Sequence, residues 1–132
     1  MHRSRLAVAL FDVGAEDFDS EVSFWAGALG TAAGIDEKES DYATLDGVFA
    51  GLHVMVQRVG PSTAARVHVD IETDDVEAEV RRLEFLGATR VRAESKWWIM
   101  RDPAGLLFCV VPVQAPAEFH AHALTWDVPD GT

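Results

Sequence analysis

The chain has 132 residues and a mass of 14.4 kDa, which is enough for one domain with a sizeable core. Hydrophobic residues make up 48% and charged residues 25%, an ordinary globular composition that excludes general disorder. The 22 acidic and 11 basic residues leave a formal net charge of −11, which repels phosphate backbones and anionic lipids. We therefore expect no nucleic acid and no membrane among its partners.

Two further features indicate the cellular setting. The single cysteine, Cys109, excludes an internal disulfide and a zinc site built from several cysteines. The apolar run over residues 6–13 contains Asp12 and stops at Gly14, so it is too short for a secretory signal or a membrane span. We therefore predict a cytoplasmic protein.

The first half of the chain predicts a strand, a helix and three more strands. The β-prone run over residues 6–13 is the first strand. Between Asp17 and Leu29, apolar residues recur on one helical face, and Gly30 marks the end of the helix. These apolar residues are Phe18, Val22, Trp25 and Leu29. Asp17 or Asp19 is the predicted cap at the helix start. The strands that follow are predicted at Ala32–Ile35, Tyr42–Leu45 and Leu52–Val59.

The second half repeats this order of elements. Strict alternation over Arg66–Thr73 predicts a strand with one apolar and one polar face. The polar face carries Arg66, His68, Asp70 and Glu72. A helix over Asp75–Leu86 follows, with Asp74 or Asp75 as its cap and Gly87 at its end. Three more strands are predicted at Thr89–Ala93, Lys96–Arg101 and Leu106–Val113.

The two halves also correspond in local sequence. Leu29-Gly30 matches Leu86-Gly87, and Gly51-Leu-His-Val-Met-Val matches Gly105-Leu-Leu-Phe-Cys-Val. We therefore predict an internal duplication of a βαβββ unit within one domain. Module one covers about residues 5–59 and module two about residues 65–113.

The tail, residues 114–132, belongs to neither module. It contains Phe119, Leu124 and Trp126, so we expect part of it to pack on the body of the protein. His120 and His122 are two residues apart and lie on one side of the chain if the tail is extended. A solvated terminus explains these two histidines equally well, and their role stays open.

Three sequence motifs occur in a characteristic order. The first, Phe24-Trp25-Ala-Gly-Ala-Leu-Gly30, ends the predicted first helix. The second is His68-Val-Asp-Ile-Glu-Thr-Asp-Asp-Val, and the third is Trp97-Trp-Ile-Met-Arg-Asp-Pro-Ala-Gly105 followed by Phe108-Cys-Val-Val-Pro112. Together with the duplication, they resemble the glyoxalase/bleomycin-resistance/dioxygenase (vicinal oxygen chelate) superfamily over about residues 5–113.

The resemblance implies a fold and a kind of site. The implied fold is α+β, with two βαβββ modules whose mixed sheets curl around a central pocket. Members of the family often build or complete their pockets through paired modules, so the resemblance also implies a homodimer. Metal-dependent members hold a divalent ion in the pocket with four ligands, one from the first and one from the last strand of each module.

This sequence supplies few of those implied ligands. The first strand, residues 6–13, contains no histidine, glutamate or glutamine. Met55 and Cys109 occupy the last-strand positions, where the family commonly has glutamate. His68 occupies the first-strand position of module two, and Gln57 lies on the same strand face as Met55. We therefore expect no resident metal and no other cofactor.

The side chains expected to face the pocket are the candidate binding residues. Trp97 and Trp98 alternate across a strand, so one faces the core and the other the pocket, and Trp98 is assigned to the pocket. The candidate ligand-binding residues are His68, Gln57, Met55, Cys109, Trp98 and Asp70. With its aliphatic neighbours, Cys109 fits a small buried hydrophobe equally well.

These features favour a protein that binds or sequesters a small compound without a metal, as bleomycin-resistance relatives do. A second hypothesis is a metal-dependent lyase, isomerase or dioxygenase with a degenerate site around His68. A third is an interaction module whose pocket is vestigial. The fold alone does not choose among these three, and the sequence identifies no catalytic residue.

Overall fold

The computed structural model describes residues 1–49 and 51–127, without the side chains of residues 48 and 49. The chain divides into two compact units. The first unit is Val8–His68; the second combines Met1–Ala7 with Val69–Thr132, of which residues 128–132 are not described. The end of the predicted tail, residues 128–132, therefore lies outside the described residues, as does residue 50.

The elements follow the predicted order closely. The first group comprises strand β1 (His2–Gly14), helix α1 (Phe18–Leu29) and strands β2 (Ala33–Ile35), β3 (Tyr42–Phe49) and β4 (Leu52–Val59). The second group comprises β5 (Arg66–Thr73), helix α2 (Val76–Phe85) and strands β6 (Thr89–Glu94), β7 (Trp97–Arg101) and β8 (Leu107–Pro112). Helix α3 (Pro116–His122) and strand β9 (Leu124–Trp126) complete the described chain. None of these helices is long and apolar enough to span a membrane.

Both units have the same strand order and directions. In the first unit the order is β2-β3-β4-β1, and only the last pair is parallel. In the second unit the order is β6-β7-β8-β5, again with only the last pair parallel. Strands joined by short turns pair antiparallel, and the strand before each helix pairs parallel with the last strand of its unit. This topology confirms the predicted α+β fold and the duplicated βαβββ unit.

The core of the first unit lies between its sheet and helix α1. The buried residues of this core are Val13, Phe18, Ala43, Leu45, Val54 and Val56. Phe11, Val22, Trp25 and Ala26 pack against them. Because side chains alternate across a strand, the residues between these positions point to the opposite face of the sheet, away from α1. That second face of the first unit is called here the open face.

Helix α1 departs from the prediction at its start and in the exposure of Leu29. A single 3-10 turn at Ala15–Asp17 precedes it, and Asp17 makes no side-chain capping bond. Leu29, predicted on the buried side, is 41% exposed, and Phe24 is 62% exposed with its ring edge-on to Trp25. The helix ends as predicted at Gly30, whose φ of 66° is a left-handed conformation that favours glycine.

Helix α2 covers one face of the sheet in the second unit. Its start is confirmed at Asp75, whose side chain accepts a hydrogen bond from the backbone nitrogen of Ala78 at 3.0 Å. Val80 on this helix packs with Met100 and Val110 in a core whose other buried members are Ala88 and Phe108. The second unit thus repeats the helix-on-sheet layering of the first.

The N-terminal strand is anchored in the second unit by buried charged groups. His2 Nε2 lies 2.8 Å from Glu79 Oε1, and both side chains are almost fully buried. Arg82 adds two hydrogen bonds to the same carboxylate, at 2.7 and 3.0 Å. Burial opposes ionisation of Glu79, but hydrogen bonds from Arg82, Ser4 and His2 outweigh it and lower the pKa of Glu79.

Glu72 forms a second buried anchor. It lies on the polar face of β5, and only 1% of the residue is exposed. One carboxylate oxygen accepts a hydrogen bond from Arg5 Nε at 3.0 Å. The other oxygen accepts hydrogen bonds from the backbone nitrogens of Gln114 and Ala115, just before α3. Glu72 therefore joins the N-terminal strand to the start of the tail.

The described part of the tail packs on the second unit, as expected. Phe119 is buried, and Trp126 Nε1 donates to the hydroxyl of Ser4 at 2.8 Å. The extended conformation considered for His120 and His122 is wrong, because both lie in helix α3. Two residues apart on a helix differ by about 200° in direction, so these histidines do not share a side.

We expect the substitution Glu79→Gln to lower the free energy of unfolding by about 2 kcal/mol or more, because Arg82 and His2 lose a buried ionic partner. The matched control is Glu84→Gln on the same helix, where the glutamate is 38% exposed and pairs with Arg90. The control should change stability by less than about 1 kcal/mol. Urea unfolding followed by circular dichroism measures both.

The loss caused by Glu79→Gln should also depend on pH. A carboxyl group whose pKa is lowered in the folded state stabilises fully above its unfolded pKa and loses that contribution as the pH falls through the folded pKa. The gap between the wild type and Glu79→Gln should therefore narrow below about pH 4.5, the ordinary value for this group. If the difference in unfolding free energy between the wild type and Glu79→Gln stayed constant down to pH 3, the role assigned to Glu79 would be contradicted. Equal losses of stability in Glu79→Gln and Glu84→Gln would also contradict it.

Candidate ligand-binding site

A row of polar side chains crosses the open face of the first unit. Tyr42 on β3 is paired in register with Gln57 on β4, and Gln57 is paired with Asp12 on β1. Side chains paired in this way are close enough to interact. Gln57 Nε2 donates a hydrogen bond to the hydroxyl oxygen of Tyr42 at 2.9 Å. These three residues are called here the polar row.

Asp12 is the buried end of the polar row. Its side chain is 1% exposed, and one of its oxygens, Oδ2, has two partners. His68 Nδ1 lies 2.6 Å from Oδ2, and Arg66 Nε donates to the same oxygen at 3.2 Å. Because a carboxylate only accepts hydrogen bonds, His68 Nδ1 must carry a proton here. The imidazole is thereby held in one orientation and one tautomer.

The second oxygen of Asp12 differs from the first. Oδ1 is buried and has no hydrogen-bond partner among the described residues. Its register neighbour Gln57 uses its amide nitrogen on Tyr42. An unpartnered buried acceptor costs about 1–3 kcal/mol, so a native structure that keeps one calls for an explanation.

An apolar pair lies next to the polar row. Leu10 on β1 is paired in register with Met55 on β4, and both point to the open face. Leu10 is 3% exposed, while Met55 is half-buried. The open face thus combines apolar contact surface with a few directed polar groups, the usual composition of a small-molecule site.

The Leu10–Met55 pair also shows whether the first unit has the metal ligands that the resemblance implies. The resemblance implies a ligand from the first strand and one from the last strand of this module. The register places Leu10 beside Met55, and Met55 holds the position where the family commonly has glutamate. A hydrocarbon and a thioether do not bind the hard or borderline ions that oxygen and imidazole ligands hold. The Leu10–Met55 pair therefore supplies neither of the two metal ligands that the resemblance implies for the first unit.

Two other predicted residues meet in the second unit. Asp70 on β5 is paired in register with Cys109 on β8, and a carboxylate oxygen and the sulfur lie within 4.8 Å. Both residues are half-buried and point away from the face covered by α2. His68 precedes Asp70 by two residues on β5 and so points to the same side of that strand.

Trp98 does not lie where the prediction placed it. It packs against Met100 and Val110 on the α2 face of the second unit, and the guanidinium of Arg90 sits 4.9 Å from its ring. Met100 is fully buried on that face, and alternation along β7 puts Trp98 on the same side. Trp97 is therefore the tryptophan on the Cys109 side of the sheet, and it is 37% exposed.

Of the six predicted residues, Trp98 packs on the α2 face of the second unit, and the other five do not. Gln57 and Met55 share the open face of the first unit, and Asp70 and Cys109 are neighbours in the second. His68 is fixed by Asp12. The ligand-binding role of these residues stays a prediction. Asp12 and Tyr42 were missed by the sequence reasoning. A charged residue inside an apolar strand was the available signal for Asp12.

Comparison with known proteins identifies the family. The family model described as "Glyoxalase-like domain" matches residues 8–111, so the chain belongs to the glyoxalase-like domain family. No curated protein sequence matched the chain.

Solved structures of other proteins have the same fold at low sequence identity. A hypothetical protein from Bacillus halodurans C-125 aligns with a TM-score of 0.63 at 12% identity, over 84% of this chain and 95% of its own. A Streptomyces coelicolor methylmalonyl-CoA epimerase in complex with 2-nitronate-propionyl-CoA gives 0.54 at 17% identity, over 84% and 98%. The Mn(II)-bound glyoxalase from Novosphingobium aromaticivorans gives 0.51 at 24% identity, over 83% of this chain and 40% of that one.

We expect the contact between Asp12 and His68 to be energetically coupled. A double-mutant cycle with Asp12→Asn and His68→Gln should give a coupling energy of about 1–3 kcal/mol in urea unfolding, because the bond is short and nearly buried. The parallel cycle with Arg66→Gln should give less than about 1 kcal/mol, because the Arg66 side chain is 54% exposed. Equal coupling in the two cycles would contradict the assigned roles.

Proposed function

We propose that this protein binds a small organic compound on the open face of the first unit and needs no resident metal for it. The observation that carries the proposal is the buried Asp12 at the end of the polar row, next to the apolar Leu10–Met55 pair. Apolar surface supplies most of the binding energy in such sites, and a few fixed polar groups set the orientation of the ligand. Gln57 and Tyr42 supply further polar contacts of this kind.

The solved relatives support the ligand class only in broad terms. The Streptomyces coelicolor epimerase holds a coenzyme A ester, and the Novosphingobium aromaticivorans protein holds Mn(II). Because their identity to this chain is low, the similarity shows a common fold and gives no information about the site. The proposal therefore depends on the open face itself.

The side chains at the implied ligand positions of the first unit support the second part of the proposal. Leu10 and Met55 supply no nitrogen or oxygen to the open face. Asp70 and Cys109 are candidate donors in the second unit. As a ligand, Cys109 would have to lose its proton next to the apolar Ile99.

The three methionines provide a direct test of binding. Met55 lies on the open face, Met100 is fully buried in the core of the second unit, and Met1 is 86% exposed. In protein labelled with ¹³C at the methionine methyl groups, a fragment library should contain compounds that shift the Met55 signal and leave Met100 and Met1 unchanged. Met55→Leu assigns the signal and keeps the side-chain volume nearly constant.

A second variant connects the binding to the polar row. Gln57→Leu should weaken the binding of fragments that contact the polar row by about fivefold, because the loss of one ordinary hydrogen bond changes a dissociation constant by this factor. The proposal would be contradicted by fragments that shift the Met100 signal instead of the Met55 signal. It would also be contradicted if no fragment in the library shifted the Met55 signal.

Metal analysis tests the second part. Protein purified without chelator should contain less than about 0.2 zinc, iron, manganese or nickel per chain, because the implied ligand positions of the first unit hold a hydrocarbon and a thioether. Near-unit metal that disappears in Asp70→Asn but persists in Asp102→Asn, a carboxylate in a surface turn, would instead support the metal-dependent alternative. The homodimer and the cytoplasmic location stay predictions from sequence, which light scattering and cell fractionation would check.

A further inference from the structure

We infer that the compound bound on the open face presents an uncharged hydrogen-bond donor, a hydroxyl or an N–H group, to Oδ1 of Asp12. The inference rests on the proposed function and names the chemical class of its ligand. It depends on the two unequal oxygens of one buried carboxylate.

Comparison within the molecule shows that Asp12 is exceptional. The described residues include three buried carboxylates, Asp12, Glu72 and Glu79. Both oxygens of Glu72 and both oxygens of Glu79 have hydrogen-bond partners. Asp12 has partners only on Oδ2. Among these three residues, only Asp12 keeps an oxygen without a hydrogen-bond partner, and we assign that oxygen to a group from outside.

The neighbours of Asp12 explain why the first unit does not satisfy Oδ1 itself. On one side along β1, Leu10 points to the same face and offers no donor. Across the register, the amide nitrogen of Gln57 donates one of its two hydrogens to Tyr42 and makes no hydrogen bond to Oδ1. His68 and Arg66 both donate to the other oxygen. The missing donor is therefore left to the ligand.

The charge of the surroundings favours a neutral donor. The guanidinium of Arg66 already balances the carboxylate of Asp12 through Oδ2. A cationic ligand would leave an excess positive charge beside a side chain that is only 1% exposed, and burying an uncompensated charge is costly. A hydroxyl or N–H group satisfies the oxygen without that cost.

Asp12→Asn converts the inference into a measurable change of selectivity. His68 and Arg66 are both donors, so the single amide oxygen of asparagine should stay with them. The NH₂ group then occupies the position of Oδ1 and donates where the carboxylate accepted. The size of the side chain hardly changes, but the hydrogen-bond preference at this position is reversed.

The experiment uses pairs of probes that differ only in the donor. Indole and 1-methylindole form one pair, phenol and anisole the other, and the shift of the Met55 methyl signal gives each dissociation constant. In the wild type the donor member should bind at least about fivefold more tightly. In Asp12→Asn the indole pair should bind within about twofold of each other, whereas the surface control Asp41→Asn keeps the wild-type ratio. Benzylammonium, a cationic donor, should bind wild type more weakly than indole.

The outcomes separate the inference from the proposed function. If indole and 1-methylindole bound the wild type equally, the inference alone would be overturned. The same holds if neither compound bound while other fragments bound on the open face. A preference that persists in Asp12→Asn, or tighter binding of benzylammonium, would also overturn it. A library in which nothing moves Met55 would overturn the proposed function as well. The wild-type ratios decide the matter even if Asp12→Asn does not fold.

Discussion

In each unit of this protein one helix, α1 or α2, packs on the sheet and covers only one of its faces. Because strand side chains alternate, every apolar residue that packs under the helix fixes the direction of its neighbours. Val54 and Val56 under α1 direct Met55 and Gln57 to the open face, and Met100 under α2 fixes Trp98 beside it. The candidate site is therefore a consequence of how the core is packed.

Buried charge has two different uses in the structure. Glu72 and Glu79 connect the start of the N-terminal strand to the rest of the second unit. Both carboxylate oxygens of each residue have hydrogen-bond partners. These contacts replace apolar packing between segments that are distant in sequence, at the cost of desolvating the charged groups. Asp12 joins no such network and keeps an unoccupied acceptor on the open face. The contrast between complete and incomplete pairing separates a structural from a functional role more clearly than burial alone does.

Periodicity and turn residues were sufficient to predict the topology. The alternation over Arg66–Thr73 and the glycine after each helix are local signals, and the structure reproduces both. The partners of His2 and Asp12 could not be predicted in this way, because they lie 77 and 56 residues away in the chain. Alternation along β7 also shows that Trp97 and Trp98 point to opposite faces of the sheet. It does not show which of the two faces helix α2 covers.

The placement of the N-terminal strand has a consequence for folding. The contacts of the first unit lie within residues 8–68, but the second unit needs residues 1–7 together with residues from 69 onward. Ser4 meets Trp126, 122 positions later in the chain. Contacts of such separation close large loops and slow the folding reaction. During synthesis, residues 1–7 can therefore complete their contacts in the second unit only after the chain has been made as far as Trp126.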